Sequence, residues 1–280
     1  MRTVDAHQHF WSLAARGEGA WPPPALAAIH RDFGPADLAP LLAAAGVDAT
    51  VLVQTLPALA ETRWMLDVAR ATPFVAGVVG WVDFQAPDAP ATIEALARDP
   101  LLKGLRPMLQ DLPDDAWIAD PATAPAAEAM ARLGLVFDAL VLPRQLAPLH
   151  AFAARHPALA IVIDHAAKPF IARGELEPWR ADMARLAALP HVHCKLSGLL
   201  TEAGGRTTRA ALQPYAQALW TLFGPRRLLW GSDWPVLRLA GDYAAWHALA
   251  RELVDACEPR ASAAERDAIF GANAAALYHL

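Results

Sequence analysis

Residues 4–11 read VDAHQHFW, and residues 228–235, near the other end of the chain, read LLWGSDWP. In the first stretch His7 and His9 are two apart, a spacing that puts both imidazoles on one face of a strand, together with Asp5. In the second, an apolar run reaches Gly231 and Ser232 and then sets a carboxylate, Asp233, before Trp234 and Pro235. Proline cannot donate to a sheet ladder, so a strand ends here and Asp233 lies at its rim. Imidazoles and a carboxylate at a rim can move protons or hold a cation. An aspartate so placed could also merely cap the next helix. The histidine pair at the opposite end of the chain is what favours chemistry.

Other stretches offer candidates of the same kind. Residues 161–169 read IVIDHAAKP. Counting by two, Ile161, Ile163 and His165 share a face, so His165 is expected to meet the pocket and Asp164 to face outward as a buried hydrogen-bonding anchor. In VHCKLSG, residues 192–198, Lys195 and Ser197 share a face, and KGLRPML places Arg106 at the end of another strand. A cation on an inward strand end is costly unless it meets an anion or a polarised oxygen. Of 24 basic residues only Lys103, Lys168 and Lys195 are lysines, so these mark places where a compact ammonium is wanted. A second H-x-H, His191 and His193, opens its strand instead of closing it and is read as structural.

These residues need a scaffold that gathers strand ends. Short β-branched or apolar runs at 3–9, 50–54, 74–82, 103–108, 135–140, 160–165, 192–197 and 228–233 read as strands. Ala/Leu-rich helical stretches lie between them at 35–45, 62–71, 89–98, 124–133, 146–155, 178–189 and 209–223. Such βα units suggest a (β/α)₈ barrel, one domain over residues 1–280, whose site sits at the C-terminal strand ends. A doubly wound open sheet is the alternative. The loop after the first strand, rich in tryptophan and proline around Trp11 and Trp21, supplies apolar rings that could shield a site.

Composition narrows the function. Hydrophobic residues at 55% against 19% charged provide for a large core, and a net charge of −5 without a basic patch argues against nucleic acid. No apolar run approaches the roughly 18 residues that span a membrane. The N-terminal order is not that of a signal peptide, and the two cysteines, Cys194 and Cys257, form no disulfide framework. A cytoplasmic protein is expected. No glycine-rich phosphate loop occurs, so no nucleotide cofactor is indicated.

Taken in order, DAHQHFW, Arg31-Asp32-Phe33 before PADLAPLLAAAGV, TVLVQT, KGLRPML, DHAAKP, CKLSGL, GSDWP and IFGANAAALY resemble the amidohydrolase-related family. Within it they are most similar to the branch of sugar-acid lactonases that act on L-fucono- and L-rhamnono-lactones. The resemblance covers nearly the whole chain. It implies a distorted TIM-type (β/α)₈ barrel, hydrolysis of a cyclic ester, and a site built on His7, His9, His165 and Asp233. Two departures stand out. The fourth strand starts with Lys103 and ends with Arg106, without the bridging lysine of binuclear relatives, and the fifth strand, LVFDALV, lacks their histidine. A binuclear centre is therefore not expected. His7, His9, His165 and Asp233 could hold one Zn²⁺ per chain, since three nitrogens and a carboxylate oxygen suit that ion. Lactonases of this branch can also work without metal, and the expectation is that activity survives metal removal.

The reaction expected is hydrolysis of a neutral aldonolactone, an L-fucono-lactone or a relative, with Asp233 as general base on water. His165, Arg106 or an ion would face the oxyanion, and His7 and His9 would orient the carbonyl. Gln54, Lys195, Lys168 and Trp11 are expected to contact the sugar. A metal-dependent decarboxylase, or another ester hydrolase of the same superfamily, is the alternative, and a sugar-binding protein without catalysis is a more distant one. The partner expected is the small lactone, with no membrane and no nucleic acid; assembly into a homo-oligomer is left open.

Overall fold

A computed structural model describes residues 2–16 and 20–280. Among them, eight parallel strands are hydrogen-bonded in sequence order: β1 (Val4–Gln8), β2 (Ala49–Val53), β3 (Val75–Gly80), β4 (Leu102–Leu105), β5 (Val136–Ala139), β6 (Ile161–Ile163), β7 (Val192–Leu196) and β8 (Leu228–Trp230). Valine, isoleucine and leucine dominate them, as strands buried on both faces require. The strands alternate with α1 (Pro35–Ala45), α2 (Leu59–Arg70), α3 (Ala89–Leu96), α4 (Ala124–Leu133), α5 (Leu146–Arg155), α6 (Trp179–Ala187), α7 (Arg209–Phe223) and α8 (Tyr243–Asp255). The first helix shows why its bounds are readable: proline opens it, and Gly46, at φ 66°, ends it in the left-handed conformation. No described helix is long and apolar enough to cross a membrane.

The ring closes past the end of the β8 ladder. Asp233 N–H donates to the carbonyl of His7 (2.8 Å), and His9 N–H donates to that of Trp234 (2.7 Å). Closure thus uses the very residues that carry candidate chemistry. Asp5 reinforces it, accepting from Ser232 N–H (2.8 Å) and from the Tyr243 hydroxyl (3.0 Å). The expectation that Asp5 shares a face with His7 and His9 is corrected here. Pairing of β1 with β2 slips between Asp5 and Gln8, and Asp5 turns toward β8 and α8.

Inside the ring, Val4, Ala6, Ala49, Val51, Val53, Val79, Val136, Val162 and Leu229 form a separate apolar cluster. Ala274 and Tyr278, from a short C-terminal helix (Asn273–Leu277) and the residue after it, join that cluster. Asn273 fastens this C-terminal segment by donating to the carbonyls of Leu228 and Pro225, each at 2.7 Å. The second, larger cluster lies between the strands and the helices and contains Ile161 and Ile163. The face assignment on β6 is therefore reversed from expectation: Val162 and Asp164 point into the ring, and Ile161 and Ile163 pack toward the helices. The strands are also shorter than expected at their C-terminal ends. Arg106, His165 and Asp233 all lie beyond the strand ends at Leu105, Ile163 and Trp230.

Candidate active site

Released from the ladder, these residues are aimed by unusual backbone. His165, Ala166, Ala167 and Lys168 all have positive φ, between 51° and 56°, and Asp233 has φ 58°. Each left-handed residue with a Cβ costs about 1–2 kcal/mol, so the surroundings must hold the turn. Trp179 Nε1 donates to the Ala166 carbonyl (2.7 Å), and Lys168 N–H donates to that of His165 (2.8 Å). Gly198, at φ 65°, lets the next loop approach, because a Cβ there would lie 2.7 Å from His165 Cβ. The turn carries His165 to the mouth of the ring although the strand's parity would not.

Three imidazoles converge on one carboxylate oxygen. Asp233 Oδ1 lies 3.2 Å from His9 Nε2, 3.8 Å from His7 Nε2 and 3.8 Å from His165 Nε2. His7 Nε2 and His9 Nε2 are 3.2 Å apart. Each ring is held from behind. His9 Nδ1 donates to the Val53 carbonyl (2.7 Å), which leaves a lone pair on Nε2 of the neutral ring. His165 Nδ1 meets Ser197 Oγ at 2.9 Å. His7 Nδ1 lies 3.1 Å from Lys195 Nζ and 3.3 Å from Asp164 Oδ1.

Burial decides the charges. It pushes His7 well below the usual imidazole range, against the pull of Asp164, and His165 down to about 4, against Asp233. Burial alone would raise Asp233, but the neighbouring His165, His9 and His7 outweigh it and hold its carboxyl below the usual range. Near neutral pH an ionised carboxylate thus faces imidazoles of which His7 and His165 are uncharged. Such a group can accept a proton from water, and the pocket above it gives a substrate room.

That pocket, about 540 Å³, has His9, Arg106, His165 and Asp233 among its lining residues. Lys168, Thr201 and Glu202 line it too, with Lys168 Nζ 3.8 Å from Glu202 Oε1. Two cations, Arg106 and Lys168, stand against the carboxylates of Asp111, Glu202 and Asp233. A dianionic substrate would meet more like charge than opposite charge, whereas a neutral polyol finds donors and acceptors.

The structure brings His9, Arg106, His165, Lys168 and Asp233 together on the pocket wall, sets His7 fully buried just behind Asp233, and separates the other expected residues from the wall. Gln54 is fully buried and donates through Nε2 to the Arg106 carbonyl (2.6 Å), while Arg106 donates back to the Gln54 carbonyl. Its expected sugar contact is corrected to a brace for Arg106. Lys195 is fully buried among Asp138 (2.5 Å), Asp164 (3.0 Å) and His7, beneath the pocket and not on it. Trp11 is buried between Trp21 and Phe33, its Nε1 donating to the Arg31 carbonyl; Trp21 is the ring that lines the pocket. Residues that sequence reasoning passed over include Asp138, Tyr278, Thr201, Glu202 and Asp111. For Asp138 the signal was available: a lone carboxylate in LVFDALV, two residues from the inward Val136.

The cluster fits a divalent ion in its donor set. Ligands at about 2.0–2.1 Å around a tetrahedral zinc are roughly 3.3 Å from one another; the donor atoms of His7, His9 and Asp233 lie 3.2 to 3.8 Å apart and could share one ion, whereas His165 joins them only through its 3.8 Å approach to Asp233. Asp164 Oδ1, 3.3 Å from His7 Nδ1, stands behind His7 where a metal-bound imidazole places a carboxylate. Lys103 is nowhere near: its Nζ donates to the His279 carbonyl (2.8 Å).

Comparison with known proteins places the chain in a family. The amidohydrolase family profile matches residues 4–280. An L-fucono-1,5-lactonase of Burkholderia ambifaria is 56% identical over 280 residues, 99% of this chain and 95% of that protein. An L-fucono-1,5-lactonase of Burkholderia multivorans is 39% identical, across 99% of this chain and 96% of its own length. A crystal structure of an amidohydrolase from Burkholderia multivorans with bound zinc superposes with a TM-score of 0.90 at 40% identity, over all of both chains.

Proposed function

Because this chain belongs to the amidohydrolase family, we propose that it hydrolyses a neutral sugar-acid lactone of the L-fucono-1,5-lactone kind, with Asp233 as the base. The observation that carries this is Asp233 Oδ1, within 3.2–3.8 Å of three imidazoles, in the wall of a pocket whose carboxylates outnumber its cations. Water held against Asp233 gives up a proton to the carboxylate as its oxygen adds to the ring carbonyl carbon. Negative charge grows on the carbonyl oxygen, and Arg106, buried and braced by Gln54 and Asp164, presents N–H donors to it. His165 and His7 flank the same position. The ring C–O bond then breaks, and Asp233 returns its proton to the departing ring oxygen, giving the open aldonic acid. Lys168 and Glu202 on the wall are suited to grip the sugar hydroxyls.

Zinc, when bound, would be held by His7, His9, His165 and Asp233 and would supply Lewis-acid polarisation of the carbonyl. The proposed reaction does not require it. A lactone carbonyl is electrophilic, and Arg106, buried beside Asp164 and braced by Gln54, already supplies a fixed positive charge. A panel of L-fucono-, L-rhamnono-, L-galactono- and D-arabinono-lactones, followed with a pH indicator, tests the reaction; turnover and metal content before and after chelation test the independence from metal. Turnover of one aldonolactone that persists in the stripped enzyme is expected. Activity lost in step with metal and regained with Zn²⁺ would overturn the metal-free reading, and silence across the panel would overturn the lactonase reading.

A further inference from the structure

Directly beneath the histidine cluster lies a buried layer of charge that the reaction above does not use. Lys195, on β7, is fully buried, and its Nζ contacts Asp138 Oδ2 (2.5 Å), Asp164 Oδ1 (3.0 Å) and His7 Nδ1 (3.1 Å). Asp138 is fixed in turn by the Tyr278 hydroxyl, at 2.8 and 3.0 Å from its two oxygens. Asp164 is shared with Arg106 NH1 (3.2 Å). An ammonium flanked by two carboxylates has no acceptor role, so at its third contact it donates to His7 Nδ1. A neutral ring that accepts at Nδ1 carries its proton on Nε2. That nitrogen is the one facing His9 and Asp233. Arg106 NH1 also approaches it, at 3.4 Å, but that longer contact competes with the carboxylate of Asp164.

We propose that Lys195 is a positioning residue that holds His7 as a hydrogen-bond donor toward His9 and Asp233 and, as a buried cation behind the cluster, opposes the binding of a divalent ion there. Two features of the same layer support this. A metal on His7 Nε2 would need the ring's proton on Nδ1, donated to an acceptor, and the acceptor at hand, Asp164 Oδ1, lies 3.3 Å from Nδ1 but is itself paired with Lys195 Nζ at 3.0 Å. The ammonium also lies one ring away from the ion's position in a dry interior, where like charges are poorly screened. Lys195 and Asp164 therefore compete for one nitrogen, and the winner decides whether His7 serves the substrate or a metal.

The activity arm of the test rests on the lactonase reading; the metal arm does not. Removing Lys195 alone leaves Asp138 and Asp164 short of a counter-charge and endangers folding, so the charge-balanced Lys195→Met/Asp138→Asn variant is compared with Asp138→Asn. Zinc affinity of the stripped proteins is measured by competition with a chromophoric zinc chelator, and metal-free turnover by lactone ring opening. Loss of Lys195 should tighten zinc binding by about 10–100-fold, the range over which groups behind a ligand tune affinity, and lower metal-free kcat by a similar factor with little change in KM. Zinc affinity equal in the two variants overturns the proposal, as does an unchanged metal-free kcat. If neither variant nor the parent turns over any lactone, the functional reading fails, and zinc affinity alone decides the role of Lys195.

Discussion

His7 and His9 leave the C-terminal end of β1, while His191 and His193 flank the N-terminal end of β7. The two pairs share spacing, residue type and strand context, and their surroundings have nothing in common. The first pair faces Asp233 and, with it, His165. The second is half-buried: His191 Nε2 meets the Ala153 carbonyl at 3.1 Å, and His193 Nδ1 is buried without a partner. Among the described residues, the groups of side chains close enough to share one ion draw on His7, His9, Asp164, His165 and Asp233, never on the second pair. In a parallel barrel the βα loops that build a site lie at the C-terminal end of the strands, so a motif acquires chemistry from the end at which it sits.

That contrast can be broken most severely at the carboxylate. Asp233→Asn keeps the shape and removes the proton acceptor, and kcat on the best aldonolactone should fall by about 10²–10⁴-fold. A variant that keeps most of its turnover would return Asp233 to a purely structural role. Next in size is the first pair itself. His7→Asn or His9→Asn should lower kcat by about 10²-fold, the scale of losing one oriented polar group at the reacting carbonyl, with a single cooperative melting transition retained. Loss of cooperative melting would show instead that the pair holds the barrel together. The smallest effect belongs to the second pair. His191→Asn removes one partly exposed hydrogen bond, a change of about 0.5–1.5 kcal/mol in stability, and should leave kcat and KM unaltered. A drop in kcat there comparable to that of His9→Asn would erase the distinction between the two ends.

Much of this was legible in the chain. All eight strands fall within the stretches expected, give or take one residue, and α1, α4, α5 and α7 have the expected bounds. Valine-rich runs and helices bounded by proline and glycine leave little choice. The ends of the site strands were less legible. Residues 103–108, 160–165 and 228–233 read as unbroken strands, yet pairing stops at Leu105, Ile163 and Trp230. Side-chain pattern does not report that the backbone turns left-handed at His165 and at Asp233, because the turn is held by distant partners such as Trp179 and Gly198. Face assignment failed on β6 for another reason. Both sides of a barrel strand are apolar, so alternation cannot say whether Ile161 or Val162 looks inward. The same ambiguity sent Lys195 and Gln54 to the sugar when they lie below it. An isolated lysine in a strand marks a charged partner, but not its depth.

The C-terminal segment that seals the ring sets a schedule. Tyr278 bonds Asp138, Asp138 bonds Lys195, and Lys195 touches His7 on the first strand. During synthesis at about 5–20 residues per second, roughly 15–50 s separate the appearance of His7 from that of Tyr278. Throughout that interval the nascent chain holds its histidines without the ring that gathers them, and Asp138 without the hydroxyl that completes its bonding. The support beneath His7 is therefore completed late, and a chain stalled before Asn273 would carry every described strand and still lack the tyrosine that bonds Asp138.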